Sequence, residues 1–495
     1  MEMEKSRKEL TMAAFDRFSD MPDPIVHHIM SFLPTKSATR VSALSKRFNS
    51  AWLSYPVFDF DEALYDREVF PYIYRTSGKE LKFLDFVLAS LKKHCPSNIY
   101  MQRFILRAWP CELISEDQIQ NSICLAADCN VKELIVKIQG SQENYYRLPR
   151  TTLQNAKSLS VLKLSGFSLE LEDWIPCLNL VEDLSLKSCS VSANFMLSSA
   201  KLTNLNLRYC RGLEKIEIDA LNLQSFSYIQ YLEEQHPCEI NISHFKNLKS
   251  LTIEGSAISD DWLEYHVPKF VLLRNLKLVA CRNLQKFEIV ALNLQSFSYT
   301  AYCHKEQHPC EINLSHCKNL KSLTIEKPNI TDDWVEYHVS KLVLLRNLKL
   351  CACRNLQKIK INNQQLKSFE LFGCEKLLKA KIEAPNLISF DCSGYALNSC
   401  CPKIILSSTL AHVQVSFVAA RSLTTNSFLN LRDFLSCFGH CKMLSLSFVS
   451  DKGLIFPEEM RKYLVRPLLD LRHEGWVMVI IKLDGVGGRL ALACT

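Results

Sequence analysis

Cysteine and histidine are the residues through which this chain could do chemistry, and their spacing decides of what kind. There are 21 cysteines and 13 histidines in 495 residues. The run Cys303-His304-x3-His308-Pro309-Cys310 offers zinc-ligand types at close spacing. An internal duplicate of it, Tyr231-Leu232-Glu233-Glu234-Gln235-His236-Pro237-Cys238, keeps only His236 and Cys238 in otherwise nearly the same surroundings. A structural metal is therefore not required there. Cys437-Phe438-Gly439-His440-Cys441 is half a zinc motif with no convincing second half. Cys189, Cys210, Cys281, Cys353 and Cys374 each stand three residues after the second apolar position of a short strand. That regularity suits a small buried group meeting loop backbone better than a reactive thiol. No G-x-x-x-x-G-K-[ST], G-x-S-x-G or H-E-x-x-H motif occurs. Gly485-Val486-Gly487-Gly488 opens no convincing helix and makes a poor phosphate loop. The expectation is no catalytic residue, no metal and no cofactor.

The elements that carry these cysteines are periodic. Residues 236–289 and 308–361 align without gaps at an offset of 72 residues and agree at 42 of 54 positions. Within the 72-residue block, paired apolar residues recur at Leu205/Leu207, Phe226/Tyr228, Leu251/Ile253, Leu276/Leu278, Phe297/Tyr299, Leu323/Ile325, Leu348/Leu350, Phe369/Leu371 and Phe390/Cys392. The spacings are 21 to 26 residues. The series extends back to Phe104/Leu106 and forward to Val413/Val415 and Leu444/Leu446. Alternate strand residues face opposite ways, so each pair points into a core that one coil cannot close and a stack of coils can. A second apolar pair, such as Phe287/Ile289 or Ile359/Ile361, predicts a strand on the opposite side of some coils. Residues 260–270 and 332–342 have helical spacing instead, with Ser259 and Thr331 as N-caps.

This pattern resembles the leucine-rich repeats of plant F-box proteins over about residues 100–400. Residues 401–450 resemble the divergent, FBD-like end of such proteins, and 451–495 fit no repeat, although Val477–Ile481 has the composition of a strand.

Residues 16–60 support the same family. Asp23 before Pro24 suits an N-cap followed by proline in the first turn, and Ile25, Ile29, Phe32 and Leu33 fall on one helical face. Pro34 stops that helix. Thr35 is placed to cap a second helix carrying Ala38, Val41, Leu44 and Phe48, and a third short turn carries Trp52 and Leu53. Three such helices bury too little to stand well alone, so they must pack on the next domain, on a partner, or on both. The stretch resembles the plant-type F-box through Asp16, Arg17, Ser19, Pro22, Asp23, the run Ser31–Lys36, Leu44-Ser45-Lys46-Arg47 and Trp52. Met21 stands where the pattern has leucine and Phe48 where it has tryptophan; both stay apolar.

The resemblance implies an α/β fold: a three-helix F-box at 11–60, a helical linker or cap at 61–99, then a leucine-rich solenoid at 100–400 with a curved parallel sheet and a convex side mixing strands and helices. It implies docking on a Skp-type adaptor and, through it, on the cullin and RING subunits of an SCF ubiquitin ligase, with the solenoid recruiting a protein target. The expected adaptor contacts are Pro22, Ile25, Ile29, Leu33, Pro34, Val41, Leu44 and Trp52; periodicity does not separate interface from core among them. Outward concave positions, Arg208, Glu254, Lys277, Glu326, Lys349 and Glu370 among them, mix charges without a dominant sign, so no target class follows. Two alternatives remain: a small-molecule-gated receptor, and a non-ligase scaffold whose F-box has decayed. The net charge of +7 is dispersed, which argues against nucleic acid, and no apolar run reaches the roughly 20 residues of a membrane span. With no apolar signal region at the start, the chain is expected in the nucleus or cytoplasm with reduced thiols.

Overall fold

The computed structural model describes residues 21–65, 79–94, 100–109, 116–138, 145–148, 155–169, 178–231, 238–242, 245–302, 311–396 and parts of 402–493. The chain divides into two units at Ala220/Leu221.

Among the described residues, three short helices open the first unit: α1 (Asp23–Ser31), α2 (Thr35–Ser42) and α3 (Lys46–Leu53). Their boundaries differ in part from the sequence expectation. The N-cap of α1 is Pro22, with Asp23 already in the helix, where its carboxylate pairs with Arg47. The hydroxyl of Thr35 caps nothing; it donates to the Asp59 carbonyl and accepts from the Asp59 N–H at 3.0 Å. The second helix ends at Ser42 instead of running to Phe48. Ser45 then caps a full third helix, its Oγ accepting from Phe48 N at 3.1 Å.

Val57–Asp61 is a strand, paired in parallel with Arg103–Ala108 so that Phe58 lies beside Phe104 and Phe60 beside Leu106. The solenoid sheet therefore begins inside the stretch read as F-box, one coil earlier than the apolar-pair series suggested. Parallel strands follow at Glu133–Ile138, Val161–Ser165, Asp183–Lys187 and Asn204–Arg208, each adding to the one before. Register stacks Leu134, Leu162, Leu184 and Leu205 in one column and Val136, Leu164, Leu186 and Leu207 in the next, all buried. Burying each such side chain contributes roughly 1.5–3 kcal/mol. Helices α4 (Lys79–His94) and α5 (Glu116–Asp128) also belong to this unit.

The second unit repeats the arrangement. Strands at Ser225–Ile229, Ser250–Glu254, Asn275–Val279, Ser296–Thr300, Ser322–Glu326, Asn347–Cys351, Ser368–Phe372, Ser389–Ala396, His412–Val418 and Met443–Phe448 pair in parallel, each with the next. Met478–Leu483 joins in parallel, where the sequence suggested a strand, and Arg489–Ala493 closes antiparallel. On the convex side, Lys286–Glu288 pairs with Glu311–Asn313, and Lys358–Asn362 with Lys379–Glu383.

Two coils are backed by helices, α6 (Asp260–His266) and α7 (Asp332–Lys341). Ser259 and Thr331 cap them as read, each accepting from a tryptophan N–H at 3.2 Å. The indoles of Trp262 and Trp334 reach back to donate to the carbonyls of Ile240 and Ile312, at 2.8 and 2.6 Å. The Asp260 and Asp332 carboxylates accept from backbone N–H groups of the following coil. The 72-residue duplication is thus a duplication of caps and tethers as well as of core. Among the described residues, no helix is long and apolar enough to cross a membrane.

Candidate functional site

The helix α1 has two apolar faces, and only one is spent on the fold. Val26 and Met30 point inward with 0% and 1% of their surface exposed, and Ala38 and Ala51 join them. The other face carries Ile25, 48% exposed, half-buried Ile29, and Phe32, 75% exposed. Leu44, in the turn between α2 and α3, is 76% exposed. Pro22 is exposed, and Leu33, Pro34 and Val41 are half-buried. Side chains of this kind in so small a unit mark a surface suited to a partner. The tether Asp23–Arg47, with Arg47 Nη2 also donating to the Met21 carbonyl at 2.6 Å, holds the start of α1 against α3. Phe32 was on the sequence stripe yet was not counted among the contacts; its ring packs edge-on against His28, at 4.9 Å between centroids.

Trp52 departs from the expectation. It is 2% exposed, enclosed by Tyr55, Phe58 and His94 at centroid distances of 6.1, 5.7 and 5.0 Å. An indole at that spacing from the other apolar residues could equally face in or out, and the adjacent strand Val57–Asp61 turns it in. It belongs to the core that joins the three helices to the first coil, and it has no surface to offer a partner.

The concave positions divide between the units. Arg208 lies in the first, its Nε donating to Asn206 Oδ1 at 3.0 Å. In the second, Glu254, Lys277, Glu326, Lys349 and Glu370 all point out of the sheet, but they form no single cluster. Lys349 and Glu370 are register partners and pair at 2.7 Å; that hydrogen bond holds the Lys349 ammonium above its ordinary pKa. Asp391 is the register partner of Glu370 on the next strand, and burial raises its pKa. Glu326 pairs with Lys327 at 3.5 Å. Of these concave charges, Lys349 and Glu370 compensate one another.

The periodic cysteines are buried, and each Sγ lies within 3.4–3.9 Å of a strand carbonyl in the preceding coil, as Cys210 does of Leu186 at 3.4 Å. Burial pushes the Cys189 thiol to about 11 and that of Cys281 to about 12. The adjoining Cys374 sulfur, together with burial, pushes Cys353 up as well. Thiols held protonated in this way are poor nucleophiles. Among the described residues no group of three or more His, Cys, Asp or Glu is placed to hold a metal ion. The Cys303–Cys310 segment, with Cys441 of the second half-motif, lies outside the described residues.

Comparison with known proteins defines the class. Residues 18–60 match the F-box domain, and residues 304–452 match the At1g61320/AtMIF1 LRR domain. The chain carries an F-box domain and a leucine-rich-repeat domain, an architecture typical of non-catalytic adaptor proteins. Its relatives are Arabidopsis thaliana proteins. It is 26% identical over 298 residues to F-box protein At3g03040, covering 51% of this chain and 60% of that protein. It is 32% identical over 181 residues to FBD-associated F-box protein At5g56380, covering 36% and 38%. To F-box/LRR-repeat protein At3g59190 it is 32% identical over 167 residues, covering 32% and 39%. The chain thus spans less than two thirds of each of these relatives.

Proposed function

We propose that this chain is the substrate-recognition subunit of an SCF ubiquitin ligase, acting in the nucleus or cytoplasm. Its F-box binds a Skp-type adaptor, and through it cullin and RING subunits, while the repeats hold a protein target. The chain itself performs no catalysis. The reading rests on one observation above the others: the apolar stripe of Ile25, Phe32 and Leu44 faces outward, while Val26, Met30 and Ala38 are buried and Trp52 fastens the same helices to the first coil. A partner bound on that stripe and a target held by the repeats would be tied into one particle. Tethering then raises the effective concentration of target lysines near a ubiquitin-loaded enzyme.

The test is capture of a purified Skp-type adaptor by the full chain, beside Ile29→Asp/Leu33→Asp. Capture by the wild type and its loss in the folded variant supports the receptor. A wild-type chain that folds and fails to capture the adaptor, or a variant that captures it equally well, overturns the assignment and leaves a stand-alone leucine-rich scaffold.

A further inference from the structure

In the second unit, the turn that leads into each concave strand has a repeated slot. Asn247, Asn293, Asn319 and Asn386 occupy it, and each Nδ2 donates to a backbone carbonyl one coil back: Leu221, Val271, Leu292 and Gln364, at 2.7–2.9 Å. Such a ladder stitches successive coils along one edge of the sheet. The slot holds glutamine at Gln365 and leucine at Leu272 and Leu344, the last two in the helix-backed coils and 40% and 41% exposed. The ladder supplies no donor there to the carbonyls of Lys246 and Lys318. A part-exposed leucine in place of a bonded asparagine, at the two equivalent places of the duplication, forfeits a hydrogen bond.

These two leucines border one groove of about 420 Å³, whose remaining lining is Arg274, Asn293, Gln295, Asn319 and Lys321. The charge along this edge is one-sided. The turn segments 246–249, 271–274, 292–295, 318–321 and 343–346 read KNLK, VLLR, LNLQ, KNLK and VLLR. They hold six cations and no carboxylate, and 221–224, 364–367 and 385–388 add no carboxylate either. Among the described residues the lysine–carboxylate pairs of this unit lie elsewhere, at Lys349–Glu370 on the concave face, at Lys327–Glu326 just past a concave strand, and at Lys286–Glu311, Lys360–Glu336 and Lys381–Glu383 on the convex side.

We infer that this edge binds an extended, acidic protein segment carrying aliphatic side chains at a spacing of about four residues. Leu272 and Leu344 sit three coils apart, which at the spacing of paired strands is about 14 Å, or about four residues of extended chain. The leucines give apolar footholds, the asparagines and open carbonyls suit peptide backbone, and the cations attract glutamate or aspartate between the footholds. A nucleic-acid strand would meet the cations, but the aliphatic posts offer its sugars and phosphates nothing. The inference deepens the receptor reading, naming the chemistry of the target.

The probe is a fluorescein-labelled ten-residue peptide with leucine at every fourth position and glutamate between, titrated by anisotropy into the full chain. Adaptor capture on the same preparation keeps failure of this inference distinct from failure of the receptor assignment. Binding is expected to weaken at least about tenfold with Arg274→Glu/Arg346→Glu and at least about fivefold when serine replaces the peptide leucines. Leu272→Asn/Leu344→Asn restores the residue that the sister coils carry, so it should fold, and it should also weaken binding about fivefold. No binding by a chain that still captures the adaptor overturns the inference. So does equal binding of the serine peptide or of a single-stranded oligonucleotide, which would reveal a general polyanion surface.

Discussion

The imidazole Nε2 of His94 stands 2.7 Å from the carbonyl oxygen of Trp52, and the two rings meet edge to face at 5.0 Å. On its other side Nδ1 lies 2.8 Å from the Ser90 carbonyl, one turn earlier in α4, and Phe58 touches the same ring at 4.6 Å. One buried histidine thus fastens the third F-box helix to α4 and to the first strand of the sheet. His94→Ala leaves the Trp52 carbonyl without this partner and opens a gap beside the indole. The cost is expected at about 2–3 kcal/mol. In a thermal melt followed by tryptophan fluorescence, the transition of this unit should fall by about 5–10 °C. An unchanged melt would mean that the joint is held by the aromatic contacts alone.

Ile25 and Val26 are neighbours with opposite duties, at 48% and 0% exposure. Ile25→Asp, or Leu44→Asp, should leave the melting temperature within about 2 °C of wild type. Adaptor affinity should meanwhile drop more than about tenfold. Val26→Asp buries an unpaired carboxylate and should unfold the three helices. Circular dichroism beside adaptor titration separates the two. Equal loss of helicity in all three variants would place the outward stripe in the core after all.

The repeat was legible because leucine spacing reports directly on stacking, and the helix caps at Ser259 and Thr331 were legible because they sit before helical runs. The F-box helices were harder. Trp52 faces inward because Val57–Asp61 pairs with Arg103–Ala108, a contact some 45 residues away that no local period encodes. Thr35 looked like a cap, but its hydroxyl is taken by Asp59 in that same strand. On the edge of the second unit, the asparagine ladder becomes visible only once the coils are stacked. Until then Leu272 and Leu344 read as ordinary apolar residues, and the cations as dispersed charge.

His266 and His338 make a matched pair in the duplicated helices, their rings tilted against Trp262 and Trp334 at 4.5 and 4.6 Å between centroids. Both Nδ1 atoms are buried without a hydrogen-bond partner among the described residues. Burial lowers both to about 4, with Lys269 adding repulsion at His266. Once unfolded, each titrates near 6.5, so between pH 6.5 and 4 the unfolded chain binds more protons than the folded one. Stability should therefore fall as the pH drops through that window and owe nothing to these groups above about pH 7. Urea midpoints at pH 7.5 and 5.0 check this, with His266→Phe/His338→Phe as the comparison. The double variant should lose part of the acid sensitivity. An identical pH slope in both proteins would show that carboxylates alone set it.

Gly255 and Lys327 occupy the same place in the two copies, and both hold a left-handed backbone, with φ of 73° and 59°. A Cβ at Gly255 would come within 2.7 Å of the Gln230 carbonyl oxygen, so this turn has no room for a side chain. The second copy accepts lysine at the price of roughly 1 kcal/mol of left-handed strain. The two positions should therefore respond oppositely to exchange. Lys327→Gly should raise stability by somewhat under 1 kcal/mol, because relief of strain is offset in part by the greater freedom of glycine in the unfolded chain. Gly255→Lys should cost about 2 kcal/mol or more, from the same strain plus a backbone clash. Denaturant titration of both variants decides it, and a gain at Gly255 would show that the coil shifts freely to make space.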